Sequence, residues 1–188
     1  NQLLETVYIS KEKPIYKILK LPELILKISI FLKKSKKKIL IIEGASWIFY
    51  SLIVLLFFKL LSKNVKIIYI SHSIESQIRK KYSNKIIYSL TKYFEKLVFK
   101  FSNISTSVSL KEKFEIKKLY NTNTVLLPNG INLDKNLSKK TVRNKYIIYT
   151  GSYLYRPNKD AIDYLNKSIM PELIKKVSDL KLVLTGGG

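Results

Sequence analysis

One histidine occurs in 188 residues, His72, within IIYISHSIESQIRKK (Ile67 to Lys81), where an apolar strand-like run gives way to a polar helical one. An imidazole can trade a proton near neutral pH or hydrogen-bond a ligand hydroxyl, and a lone histidine can equally be a packed structural residue. Glu75 and Arg79 follow at i,i+4 in the acid-first order. That spacing suits an ion pair on one helical face, worth a few tenths of a kcal/mol and structural in character. Gly44 closes KILIIEG and Gly151 closes YIIYTG. A glycine at a strand end lets backbone approach a phosphate or take a positive φ, or simply makes a turn. Pro128-Asn129-Gly130 is a turn signature.

Other chemistry lacks its residues. One His, no Cys and scattered carboxylates assemble into no metal motif at ligand spacing. Neither a G-x-x-x-x-G-K-[ST] phosphate loop nor a G-x-S-x-G nucleophile elbow occurs. The polar residues above stand instead at the ends of strand-like runs, where open α/β sheets bind ligands.

Those runs are Lys38 to Gly44, Val65 to Ser71, Ile104 to Ser109, Thr124 to Pro128, Tyr146 to Gly151 and Leu180 to Gly186. They are short, rich in β-branched residues and apolar on both faces, as buried parallel strands are. Segments of helical period lie between them: Pro14 to Ser35, Ala45 to Leu61, Asn84 to Ser102, Leu110 to Tyr120 and Asn158 to Val177. Strands alternating with helices predict βαβ units and a parallel sheet covered on both faces. WIFYSLIVLLFFKLL (Trp47 to Leu61) has 15 residues with Lys59 inside. It falls short of the roughly 17 to 25 that a bilayer requires and is expected to be a buried helix.

The formal net charge is +22, from 35 basic and 13 acidic residues. Only Arg79, Arg143 and Arg156 are arginine, whereas specific phosphate and base recognition favours the planar guanidinium, which argues against nucleic acid as partner. KILKLPELILKISIFLKKSKKK joins apolar residues at helical spacing to a lysine cluster. It suits either a helix on an anionic membrane surface, where each lysine is worth roughly 1 kcal/mol, or a crossover helix with a solvated end. The absence of cysteine excludes a disulfide scaffold and fits a reducing cytoplasm.

Taken together, these stretches resemble a known family. HSIESQIR looks like the H-N-V-E-S-x-x-x-R segment of one branch of the group 1 retaining glycosyltransferases, which have the two-domain GT-B fold. TSVSLKEKFEIKKLYNTNTVLLPNGI is similar to that family's strand, serine-led helix and strand ending in P-N-G. YIIYTGSYLYRPNKDAIDYLNKSIMPELIKKVSDLKLVLTGGG resembles the opening of its second domain, and order and spacing agree across about 38 to 188. The resemblance implies an α/β protein of two Rossmann-like domains with parallel sheets. It implies transfer of a sugar, with retention, from a nucleotide-sugar donor to a glycan or lipid-linked acceptor, as in cell-envelope polysaccharide synthesis, in a cleft between the domains and without a cofactor. His72 then stands beside the donor sugar as the catalytic candidate. Gly151 lies under the donor diphosphate with Ser152, while Arg156 and Lys159, at positions shifted from the family pattern, are the phosphate-binding candidates. Gly44, Glu75, Asn129 and Gly130 are candidates to line the cleft. Ser73 and Asn132 stand where relatives carry Asp or Asn and an acidic residue.

The chain opens on Asn1 without an initiator methionine and stops on three glycines after a strand-like run, so it is expected to be an internal piece of a longer protein. The family's glycine-rich first strand is expected before Asn1 and its paired glutamates beyond Gly188, leaving the piece inactive alone. The predicted domains are 1–135, with acceptor-side character, and 146–188, the start of the donor domain, joined by a polar linker over 136–145. The expected setting is the cytoplasm, peripherally on the inner face of the membrane. The rival expectation is a non-catalytic basic α/β module that binds RNA or anionic membrane through charge alone.

Overall fold

The computed structural model describes residues 18–44, 48–62, 64–130 and 145–186. The chain divides into two compact units, Asn1–Ile131 and Asn132–Gly188. Both are α/β with parallel strands. The expected boundary after residue 135 falls outside the described residues, as does all but the last residue of the expected linker.

In the first unit the order is α1 (Leu21–Lys34), β1 (Ile39–Gly44), α2 (Ile48–Leu61), β2 (Lys66–Ser71), α3 (Glu75–Tyr82), α4 (Lys85–Phe101), β3 (Ile104–Ser107), α5 (Leu110–Tyr120) and β4 (Val125–Leu126). Local chemistry sets several of these limits. Pro22 at the start of α1 has no amide to waste there. Asn84 caps α4 by accepting from the Ile87 amide at 2.8 Å, and Ser109 caps α5 by accepting from the Glu112 amide at 3.2 Å. Asn121 ends α5 in the left-handed conformation, with φ of 54°.

The four strands form one parallel sheet in the order β1-β2-β3-β4. Each βαβ crossover therefore steps in the same direction, and right-handed crossovers that never reverse direction put their helices on one face. On that face α2 and α4 pack over Ile67 and Tyr69, and Phe58, Phe99, Ile116 and Tyr120 complete the core. The Tyr69 and Phe99 rings meet edge to face at 5.4 Å, and Phe99 stacks on Tyr120 at 5.4 Å. The register Ile41↔Ile68, Ile68↔Ile104 and Thr106↔Val125 puts Ile39, Ile41, Ile104 and Val125 together on the opposite face, where all four are exposed. Coverage of both faces, expected from the apolar runs, is thus not reached among the described residues, because the strand order contains no reversal. Helix α2 buries seven of its 14 residues, and no described helix is long and apolar enough to cross a membrane.

The second unit contains β5 (Tyr146–Thr150), α6 (Arg156–Tyr164), a π-helical turn (Leu165–Ile169), α7 (Met170–Lys176) and β6 (Lys181–Thr185). β5 and β6 pair in parallel from Tyr146↔Lys181 to Thr150↔Thr185. The helix expected to run unbroken from Asn158 to Val177 widens in its middle, where the Met170 amide reaches back five residues to the Leu165 carbonyl. Pro171 follows at once, and a proline cannot give the amide that an ordinary helical turn would use there.

Candidate active site

Parallel pairing brings all the carboxyl ends of the first sheet to one edge, with Gly44 opposite Ser71 and Ser107 opposite Leu126. Ser71 is buried, and its hydroxyl donates to the Ser73 carbonyl at 3.1 Å, folding the chain into a tight turn as it leaves β2. His72 lies on that turn with its side chain 40% exposed. Its Nε2 is 2.7 Å from Oε1 of Glu43, the penultimate residue of β1. Glu43 was not singled out in the sequence, since a single acid at the end of a strand-like run carries no local signal. Register alone makes it the neighbour of His72.

Behind the histidine lies a buried polar cluster. Ile74, the residue before α3, provides no side-chain cap. The cap arrives from α4: Glu95, fully buried, accepts from the Glu75 amide at 2.7 Å and the Ser76 amide at 3.1 Å. The Tyr120 hydroxyl donates to Oε2 of the same carboxylate, the oxygen that also accepts from the Ser76 amide, and lies 2.6 Å from Ser76 Oγ. Burial, then the Glu95 charge, push Tyr120 far above the usual tyrosine range, so it remains a donor. A helix N-terminus at a sheet edge commonly invites an anion, and here a carboxylate of the chain itself already fills it. One signal for Glu95 was legible: it precedes the core residues Val98 and Phe99 by three and four positions, on the inward face of α4.

Glu75 belongs to the same turn of chain. Burial raises its carboxyl above the usual range, while the Arg79 guanidinium, 3.9 Å away, and a 3.4 Å bond from Ser73 Oγ oppose the shift. Burial likewise raises Glu112, opposed by the Val108 amide and weakly by His72, and its Oε2 is buried without a partner among the described residues. The edge around His72 is therefore locally acidic in a strongly basic chain.

Gly44 is buried, and a Cβ there would land on the Tyr69 ring, 2.6 Å from Cζ. Asn129 and Gly130 lie exposed after β4, and a Cβ on Gly130 would meet nothing within 4 Å. Among the described residues the hydrogen bond of His72 is to Glu43, not to Asn129, Gly130 or Glu75.

In the second unit the chain beyond β5 is built around glycine. The Gly151 amide donates to the Thr185 carbonyl at 2.8 Å, extending the β5–β6 ladder by one bond. Gly186 has φ of +135°, and a Cβ on it would sit 2.7 Å from the Gly151 carbonyl carbon, so the end of β6 does not tolerate a side chain there; a Cβ on Gly151 would press on the Asn158 side chain, 2.7 Å from Nδ2. Ser152 is exposed; its Oγ accepts from the Leu154 amide at 3.3 Å. Asn158 ties the loop together, accepting from the Tyr149 hydroxyl at 3.1 Å and donating to the Ser152 carbonyl at 2.9 Å. Arg156 and Lys159 are exposed on the first turn of α6. The second unit thus gathers Gly151, Ser152, Arg156 and Lys159 at one end of its sheet, with Asn158 as the organiser that sequence reasoning missed.

A depression of about 430 Å³ lies at the amino ends of β3 and β4, lined by Lys100, Asn103, Asn121, Thr122 and Asn123. It is at the opposite sheet edge from His72. Among the described residues no group of three or more His, Asp or Glu could hold a metal ion. No protein-family model and no curated protein matches the chain.

Proposed function

We propose that the chain is part of a GT-B-type glycosyltransferase that moves a sugar from a nucleotide-activated donor to a glycan or lipid-linked acceptor with retention. The carrying observation is the exposed His72, hydrogen-bonded to Glu43 at the carboxyl edge of a parallel sheet. Such an edge is where α/β proteins hold ligands, and an oriented imidazole there suits a sugar hydroxyl. The glycine-built end of β5 and β6, beside Arg156 and Lys159, supports contact with a donor diphosphate: glycine admits the close approach and the cations balance its charge. In the reaction the anomeric bond to the diphosphate breaks, a bond to the acceptor oxygen forms, and the acceptor proton passes to the departing diphosphate.

The test is transfer from a panel of nucleotide sugars by a protein containing this chain. His72→Ala should lower the rate about 10- to 1000-fold, equivalent to roughly 1.4 to 4 kcal/mol, with an unchanged melting temperature. Normal rates with a destabilised fold would make His72 a structural residue and remove the reading's main support.

A second reading has its own observation. Along α1 the outward residues Leu26 and Ile30 are exposed beside Lys27, Lys33 and Lys34. That combination suits peripheral binding to an anionic bilayer. Sedimentation with phosphatidylglycerol vesicles, weakening as salt rises, is the expected result, and no binding at low salt would exclude it.

A further inference from the structure

Within this glycosyltransferase reading, we infer that Glu43 is a positioning residue that holds the His72 ring with Nε2–H on its carboxylate, leaving Nδ1 as the acceptor that meets a ligand hydroxyl. An ionised carboxylate can only accept a hydrogen bond, so at 2.7 Å from Glu43 Oε1 it is Nε2 that carries the proton. The other nitrogen of a neutral imidazole is then a lone-pair acceptor, and among the described residues no group bonds Nδ1. The ring is fixed from two sides. The Ser71–Ser73 turn sets the backbone, and Glu95 anchors the Glu75 and Ser76 amides, so the chain around His72 has little freedom. Only χ rotation of the imidazole remains, and Glu43 removes it. The side chain of Glu43 is 69% exposed and bonds His72, so the core does not need it. The sugar of a nucleotide sugar carries several hydroxyl donors, and an acceptor nitrogen on a partly exposed ring at a locally acidic edge selects a neutral hydroxyl over an anionic group.

With one histidine in the chain, long-range ¹H–¹⁵N spectra contain a single imidazole, so its tautomer can be read without assignment. In the full chain at alkaline pH, the expected spectrum is that of one tautomer, protonated at Nε2. Glu43→Ala should shift it toward a mixture, and Glu43→Gln, which keeps an acceptor oxygen, should restore the single form. An Nδ1-protonated ring, or the same populations in wild type and Glu43→Ala, would overturn the inference. The transfer assay adds a second arm. Glu43→Ala should lower kcat about ten-fold with little change in KM, and the loss should be absorbed in Glu43→Ala/His72→Ala. Independent, multiplying losses would show that Glu43 does not act through His72. If no nucleotide sugar is turned over at all, the functional reading fails while the spectra still decide the tautomer.

Discussion

The carboxyl edge of β1 and β2 presents an imidazole and carboxylates that hydrogen bonds hold in place, whereas that of β5 and β6 presents two glycines, Gly151 and Gly186, whose backbones nearly touch. The first edge rests on a core of buried aromatics from β2, α2, α4 and α5. In the second unit Met170 is the one buried side chain among the described residues. A deep core can carry a buried charge such as Glu95, because surrounding structure holds its donors in position. A thin one cannot, and the second edge takes its shape from backbone conformation. Hydrogen-bonded side chains thus shape the first edge, while backbone approach shapes the second.

The comparison can be broken most forcefully at Glu95. Glu95→Ala leaves the Glu75 and Ser76 amides and the Tyr120 hydroxyl without their acceptor, and should cost at least about 3 kcal/mol in a denaturant titration of the first unit. A loss below about 1 kcal/mol would mean that water satisfies those donors and that the edge is not built on its buried cluster.

Gly186→Ala is the matching test of the second edge. The positive φ and the clash with the Gly151 carbonyl predict a cost of about 1 to 3 kcal/mol. Faster hydrogen exchange of the Gly151 amide, which bonds Thr185, should report it, while the first-unit amides stay protected. Gly130→Ala, with open space around it, should stay within about 0.5 kcal/mol. Equal effects at the two glycines would refute the claim that backbone approach shapes the β5–β6 end.

Tyr120→Phe is milder, since Glu95 keeps both amides and loses one donor: about 1 kcal/mol, read from the denaturation midpoint. The smallest effect concerns pH. Because burial raises Glu75 above its ordinary 4.5, the folded state holds that proton more tightly than the unfolded one. Its contribution to stability is therefore full below about pH 4.5 and is lost as pH rises through the raised folded value. Glu75→Gln, which does not ionise, should make the decline of stability with rising pH shallower, and a steeper profile would show that the Arg79 pair outweighs burial.

Much of the architecture was legible because it is local. Asn84 and Ser109 cap helices within three residues of themselves, so the limits of α4 and α5 follow from the sequence. Alternation of apolar runs with helical periods likewise announces parallel strands and their crossovers. His72 was visible as the one imidazole at a strand end. Strands were read too long at β3 and β4, because Val108 and Ser109 leave the ladder to start α5, and pairing of β4 covers two residues.

The partners were not legible. Glu43 meets His72 across 29 residues, and Glu95 reaches the Glu75 amide across 20. Both distances are closed by strand register and helix packing rather than by any periodicity within a segment. The same holds for the face of the first sheet left exposed among the described residues, which depends on the direction of successive crossovers. By itself the sequence determined which segments are strands and helices and where one titratable imidazole stands, since these follow from forces acting within a few residues. Only the tertiary structure decided which carboxylate orients that imidazole, which carboxylate fills the helix end behind it, and which glycines meet, because long-range hydrogen bonds and backbone contacts exist only once the strands have paired.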